Sequence, residues 1–364
     1  MAVGLPLKTT YADGDVYSAS DVNDTNGTVN LVGQTQNFYA GKNKIINGDF
    51  SVNQRSFTST TTAAAYGFDR WNLQTDASAV TYSTQAFTPG AAPVTGYEAK
   101  NYARLVTTSQ TGVAYAMLQQ KIEDVRTCAN SVITVSFWAQ AGTGTPKIGV
   151  AIDQNFGSGG SSAVTTASVT IPTLTTSWVR YSFNVTVPSV SGKTIGTSSY
   201  LAVNIVCSMT GSYTPPYPAV GLQNNTFNIW GVQVEMGSTA TAFQTATGTI
   251  PGELAACQRY YYQNATGIQD IMSGVATGTT QGRFYFCFPT QMRIAPLGLV
   301  IQNLTVSLNR TGGTATGGTW TLPFATFLTA EMLYTHGSAA WTAGDTLIFF
   351  GNNANSYYGW SAEL

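Results

Sequence analysis

The sequence predicts an all-β protein: two antiparallel β-sandwiches, the second smaller, behind a short N-terminal segment. Three observations carry this reading. Apolar residues recur at every second position in several short runs, the spacing of half-buried strands. Clusters of Gly, Ser, Thr and Pro separate those runs. No long helical period lies between them, which argues against alternating β-α-β units around a parallel sheet.

Residues 1–43 stand apart. Tyr11-Ala12-Asp13-Gly14-Asp15 is turn chemistry, and Ser18-Ala19-Ser20-Asp21-Val22-Asn23-Asp24 offers a helix N-cap with acidic first-turn residues. A helix to about Asn30 would be too short to fold alone and needs a partner surface. From Lys44 the pattern turns to strands. Ile45-Ile46-Asn47-Gly48-Asp49-Phe50 runs apolar, then turn, then aromatic, and Asp69-Arg70-Trp71-Asn72-Leu73 follows. Val132 to Ala139, Trp178 to Val187, Leu201 to Val206 and Phe227 to Val234 follow, giving a first sandwich over residues 44–250. Trp71, Trp138, Trp178 and Trp230 sit inside these patterns and read as core. Pro251 to Tyr260 reads as one or two helical turns with Pro near the start. Beyond it, Tyr261-Tyr262, Gly282 to Pro289, Leu297 to Ile301, Gly318 to Leu322 and Asp345 to Phe350 make a second sandwich over residues 251–364.

Composition narrows the function classes. Of the 364 residues only 9% are charged, against roughly a quarter in typical soluble proteins, and 12% are aromatic. Polar faces are therefore built from hydroxyls and amides. The formal net charge is −1 with no basic run, so nucleic-acid binding is not expected. The start lacks a basic n-region followed by an apolar h-region, and no apolar stretch reaches the ~18 residues of a membrane span. A soluble protein made in a cytoplasm is expected, without membrane insertion. Cys128, Cys207, Cys257 and Cys287 are widely spaced with no C-x-x-C, and read as buried thiols filling sheet cores.

Nothing in the sequence builds an enzyme. His336 is the one histidine, in a loop-like stretch without a nucleophile elbow. Glu123 and Asp124 are adjacent, so a strand would point them to opposite faces, and they read as turn acids. Gly157-Ser158-Gly159-Gly160-Ser161-Ser162 lacks the Gly-Lys-Ser/Thr end of a phosphate loop and reads as a flexible loop. Two aromatic stretches remain as candidates for recognition. Tyr213-Thr214-Pro215-Pro216-Tyr217-Pro218 is a Pro-stiffened loop carrying two rings, Tyr213 and Tyr217. It suits either stacking on sugar faces or packing against a neighbouring subunit. Asn352 to Trp360, with Tyr357 and Tyr358, mixes amides with aromatics and suits either role.

Several tags occur in a fixed order. They are Asn43 to Arg55 with its Asn47-Gly48-Asp49-Phe50 centre, Asp69-Arg70-Trp71, Val135-Ser136-Phe137-Trp138-Ala139 and Gly231 to Phe243. Cys257-Gln258-Arg259-Tyr260-Tyr261, Phe288 to Pro296 and the ending Ser361-Ala362-Glu363-Leu364 complete the set. Together they span residues 44–364 and resemble bacteriophage tail-fibre and related appendage proteins with a jelly roll similar to carbohydrate-binding modules. Val234 stands where Leu is usual.

The resemblance implies a non-enzymatic structural virion protein, homotrimeric, that binds host-surface glycan. It places the protein on the virion surface after assembly in the host bacterial cytoplasm. Residues 1–43 would be an anchoring segment, with Tyr11, Asp15, Asp21, Val22 and Asn23 meeting a tail, neck or capsid protein. A capsid-decoration, head-fibre or neck-fibre role is the alternative, and a glycan-cleaving depolymerase a more distant one. No cofactor is expected, although some jelly rolls of this kind hold a structural calcium. Asp49 and Glu235 would be its ligands here, the plainer reading being two surface acids.

Overall fold

Alternation in the sequence becomes alternation in space. In the strand Val179–Val187, Phe183, Val185 and Val187 are buried while Ser182, Asn184 and Thr186 face outward. The structure, a computed structural model, describes residues 41–76, 79–265, 270–308 and 314–364. The expected N-terminal helix and the anchoring candidates Tyr11, Asp15, Asp21, Val22 and Asn23 lie outside the described residues.

The first half of the chain forms eleven strands among the described residues. These are β1 (Ser59–Thr60), β2 (Trp71–Thr75), β3 (Val80–Ala86), β4 (Asn101–Thr107), β5 (Tyr115–Glu123) and β6 (Ser131–Ala141). β7 (Gly149–Asn155), β8 (Val164–Ala167), β9 (Val179–Val187), β10 (Tyr200–Met209) and β11 (Thr226–Met236) follow. All pairings are antiparallel. A six-stranded sheet, β1-β3-β4-β11-β6-β9, faces a five-stranded sheet, β2-β5-β10-β7-β8, as a jelly-roll sandwich. The inward residues of both sheets, among them Trp71, Leu118, Phe137, Phe183, Val203 and Ile229, make one continuous core.

Helix α1 (Ile250–Gln258) leads out of this sandwich, with Thr249 as N-cap accepting from the Gly252 N–H. Ten further strands follow. They are β12 (Tyr261–Ala265), β13 (Asp270–Ala276), β14 (Gln281–Cys287), β15 (Gly298–Gln302) and β16 (Leu304–Leu308). The last are β17 (Thr314–Ala315), β18 (Thr319–Ala325), β19 (Thr329–Thr335), β20 (Thr346–Gly351) and β21 (Tyr357–Ser361). A seven-stranded sheet, β17-β16-β20-β13-β14-β19-β18, packs on a three-stranded one, β12-β21-β15. Phe284, Phe349, Met332, Tyr358 and Trp360 fill the second core.

Ile45 to Phe50 carries the turn that its apolar, turn, aromatic order predicts, with Asn47 and Phe50 in left-handed backbone at φ 57° and 56°. The Asn47 side chain ties this turn together, bonding Val52 at both N–H and C=O and the carbonyl of Asp69. Trp138 and Trp178 are not core residues but half-buried rings packed against the core from the six-stranded sheet. Cys287 is exposed, whereas Cys128, Cys207 and Cys257 are buried and all four are free thiols. Within the Gly157 to Ser162 loop, Ser158, Gly159 and Ser162 are exposed, while Gly157 at φ +78° is closely approached: a Cβ there would lie 2.2 Å from the Thr197 carbonyl oxygen.

The ordered tags meet in space where the two sandwiches join. Arg70, 1% exposed, donates to the Lys121 carbonyl, is ion-paired to Glu363 and lies 3.5 Å over the Tyr260 ring. Arg55 lies 3.5 Å over the Tyr261 ring and reaches Asp69 at 3.4 Å and Glu363 at 3.1 Å. Gln54 donates to the Tyr261 carbonyl, and Asn47 N–H donates to buried Glu253 of α1. Arg259 pairs with Glu123 at 3.0 Å, and Arg293 donates to the carbonyls of Ala362 and Glu363. Motifs distant in sequence are thus two sides of one polar and aromatic contact.

Candidate functional site

The outer face of the five-stranded sheet carries a cleft of about 340 Å³. Strand register builds its floor. In β5, Tyr115, Met117 and Gln119 point outward while Ala116 and Leu118 enter the core. Asn204 of β10 lies between Gln119 of β5 and Ala151 of β7, and Asp153 is two residues further along β7, on the same face. Gln74 of β2 and Met209 of β10 complete the floor. The wall is the loop after β10, held down by the Met209 N–H on Gly221 and the Thr210 N–H on Ala114. It brings Tyr213 and Tyr217 over the sheet, where both line the cleft.

The rings are set by contacts. Tyr115 and Tyr213 meet edge to face, centroids 5.4 Å apart at 89°. The Tyr217 hydroxyl donates to Asp153, at 3.1 Å to Oδ2. Asp153 also accepts from Thr165 Oγ1 at 2.7 Å and Asn204 Nδ2 at 2.8 Å, and Asn204 in turn accepts from Gln119 Nε2 at 2.7 Å. Burial raises the Asp153 pKa above the ordinary carboxylate value, against the lowering effect of those hydrogen bonds. Burial and the neighbouring Asp153 charge push the Tyr217 phenol upward as well, so its proton stays in place. The result is an apolar floor of methionines, tyrosine rings on one side, and amide and carboxylate groups held at fixed positions.

Of the aromatic candidates in the sequence, Tyr213 and Tyr217 come together here. Tyr357 and Tyr358 do not join them, being on β21 of the second sandwich. Tyr358 is 3% exposed and surrounded edge to face by Phe286, Phe349 and Trp360, so neither face of its ring is available for stacking. Tyr357 is half-buried beside the exposed turn at residues 352–355. The sequence reading missed Tyr115, Met117, Gln119 and Asp153. The outward-inward alternation of Tyr115-Ala116-Met117-Leu118-Gln119 was the signal for the first three.

The proposed calcium ligands are buried rather than surface acids. Asp49, 5% exposed, accepts from Ser51 Oγ and the Tyr97 hydroxyl. Glu235, 0% exposed, accepts from Gln233 and from both the N–H and hydroxyl of Thr241, with Lys42 at 3.6 Å. Among the described residues no group of three or more His, Cys, Asp or Glu is placed to hold a metal ion. Two adjoining recesses of about 400 and 520 Å³ open beside Asp49 and Tyr97. There the Tyr97 and Phe243 rings pack on each other and on Trp230, so they offer less to a ligand than the cleft tyrosines.

No protein-family model matches the chain, and no curated protein matches it. Solved structures similar to it include the CBM22-1 xylan-binding domain of Paenibacillus barcinonensis Xyn10C. That match has 12% identity and a TM-score of 0.32, over 55% of this chain and 98% of that one. Another is a family 11 carbohydrate-binding module from Clostridium thermocellum, solved with a β-1,3-1,4-mixed-linked tetrasaccharide. It has 11% identity and a TM-score of 0.31, over 51% of this chain and 99% of that one.

Proposed function

We propose that this protein is a non-enzymatic glycan-binding protein of a bacteriophage surface appendage, and that the cleft on the five-stranded sheet is its sugar site. One observation carries the binding reading: Tyr115, Tyr213 and Tyr217 stand over a methionine floor beside Gln74, Gln119 and Asp153. Sugar rings have apolar C–H faces and polar rims. Tyrosine rings offer flat apolar surface at little entropy cost, and the amides and carboxylate offer partners for hydroxyls. The cleft lining holds one carboxylate, whereas glycoside hydrolysis ordinarily uses two. That supports binding over cleavage.

The appendage reading rests on the ordered tags from Asn43 to Leu364. In this account residues 1–43 dock on a tail, neck or capsid protein, residues 44–250 bind the glycan, and residues 251–364 brace that module. Three copies acting together would turn a weak single site into firm attachment through effective concentration. A particle-bound label at the C-terminus, located by cryo-electron microscopy, tests the placement. Label at the tail periphery supports host adhesion, and label over the capsid overturns a tail position in favour of decoration. A glycan array probed with the purified chain tests the binding itself, and a blank array contradicts it.

A further inference from the structure

We infer that the cleft selects uncharged sugars over carboxylated ones, and that Asp153 sets this choice. The inference rests on the cleft being a sugar site. Among the residues lining the cleft there is no Lys or Arg, and Asp153 is the one charged side chain. Its carboxylate oxygens meet Thr165, Asn204 and Tyr217, which are all neutral donors. They spread the charge without cancelling it, and Asp153 has no ion pair among the described residues. A glycan that stacks on Tyr115 and Tyr213 therefore enters a field of negative sign. A hydroxymethyl group meets hydrogen-bonding partners there, while a carboxylate at the same ring position meets like charge with no cation to receive it. Specificity built on such a repulsive element discriminates without any added contact to the favoured ligand.

An array that carries each neutral oligosaccharide beside its C6-oxidised, uronic-acid counterpart tests this. The wild type should bind the neutral member about tenfold more tightly, a difference of about 1.4 kcal/mol. In Asp153→Asn that ratio should fall to about twofold, whatever happens to the neutral signal itself. Asn preserves the shape, and the Thr165 and Tyr217 hydroxyls can turn from donor to acceptor. Should that variant not fold, raising salt on the wild type gives an independent measure. The Debye length falls from about 10 Å at 0.1 M to about 3 Å at 1 M, so the ratio should shrink as salt rises. Equal or tighter binding of uronic acids by the wild type, or a ratio indifferent to both Asp153→Asn and salt, overturns the inference and leaves the sugar site standing. A wild type that binds neither member of any pair removes the sugar site and the inference together.

Discussion

The guanidinium of Arg70 lies 3.5 Å over the ring of Tyr260, and by this contact the first sandwich meets the second. Arg70 immediately precedes β2, whereas Tyr260 stands between α1 and β12. The same arginine is ion-paired to Glu363, so three separated stretches of chain converge on one buried cation. A stacked, desolvated guanidinium of this kind is worth most when its charge is fully matched.

Removing the match should be costly. Glu363→Ala leaves Arg70 buried without its carboxylate, and loss of one partner of a buried pair costs about 3–5 kcal/mol. Arg70→Met combined with Glu363→Ala should recover part of that loss, since it removes the stranded charge. Urea unfolding followed by tryptophan fluorescence measures both. Equal stability of the single and double variants would show that the pair is not the joint.

The two tyrosine candidates on β21 should behave differently from those in the cleft. Tyr358→Ala empties a site enclosed by Phe286, Phe349 and Trp360, and large aromatic truncations in a core cost about 3–5 kcal/mol. Tyr213→Ala should weaken sugar binding about tenfold or more while costing little stability, because the ring is half-buried on a loop. Calorimetric melting beside a binding assay separates the two effects.

Gly231 holds left-handed backbone at φ +65° where β11 shifts register against β6, and a Cβ there would come 2.8 Å from the Trp138 ring. Gly231→Ala combines backbone strain with that clash and should cost more than about 1 kcal/mol. Gly278→Ala meets nothing within 4 Å and has no such φ, so it serves as the matched control in the same denaturation series.

Much of this was legible along the chain. The strand Val179–Val187, with its hard apolar alternation, stands where the period-two pattern puts it. Tyr115–Glu123 and Gly149–Asn155 escaped notice: the first is rich in amides, and the second buries most of both faces, which removes the alternation. The same two strands supply half of the cleft. The Pro-stiffened loop with Tyr213 and Tyr217 could be read as a candidate from local stiffness alone. Its sheet partners come from β2, β5, β7 and β10, and only register sets them side by side. The tags were visible as motifs, yet their joint task at the sandwich junction depends on contacts between residues up to about 300 positions apart, as with Arg55 and Glu363.

Acidity should act on Asp153. Burial raises its pKa in the folded protein, so the neutral form is favoured there more than in the unfolded chain. That contribution to stability is present below the ordinary carboxylate range and is lost as pH rises through the folded pKa. The wild type should therefore lose ground to Asp153→Asn as pH rises above the ordinary carboxylate range. Tyr115 and Tyr217 face the same cleft and stay protonated across that range, since burial raises both phenols. Denaturant midpoints of the two proteins at each pH give the difference, and parallel profiles would remove Asp153 as its source.

Thiol reactivity offers a check on the packing. Cys287 is exposed on the outer face of β14, while Cys128, Cys207 and Cys257 are buried, and burial pushes up the pKa of each of those three. Ellman's reagent should modify one of the four thiols in the native protein and the rest only after denaturation.

The most direct test of the account is isothermal titration of the tightest-binding array oligosaccharide into the wild type and into a Tyr115→Ala, Tyr213→Ala double variant. Saturable binding by the wild type at one site per chain, lost in the folded double variant, is the expected result. Undiminished binding by that variant would place the sugar elsewhere on the protein and contradict the assignment of the cleft.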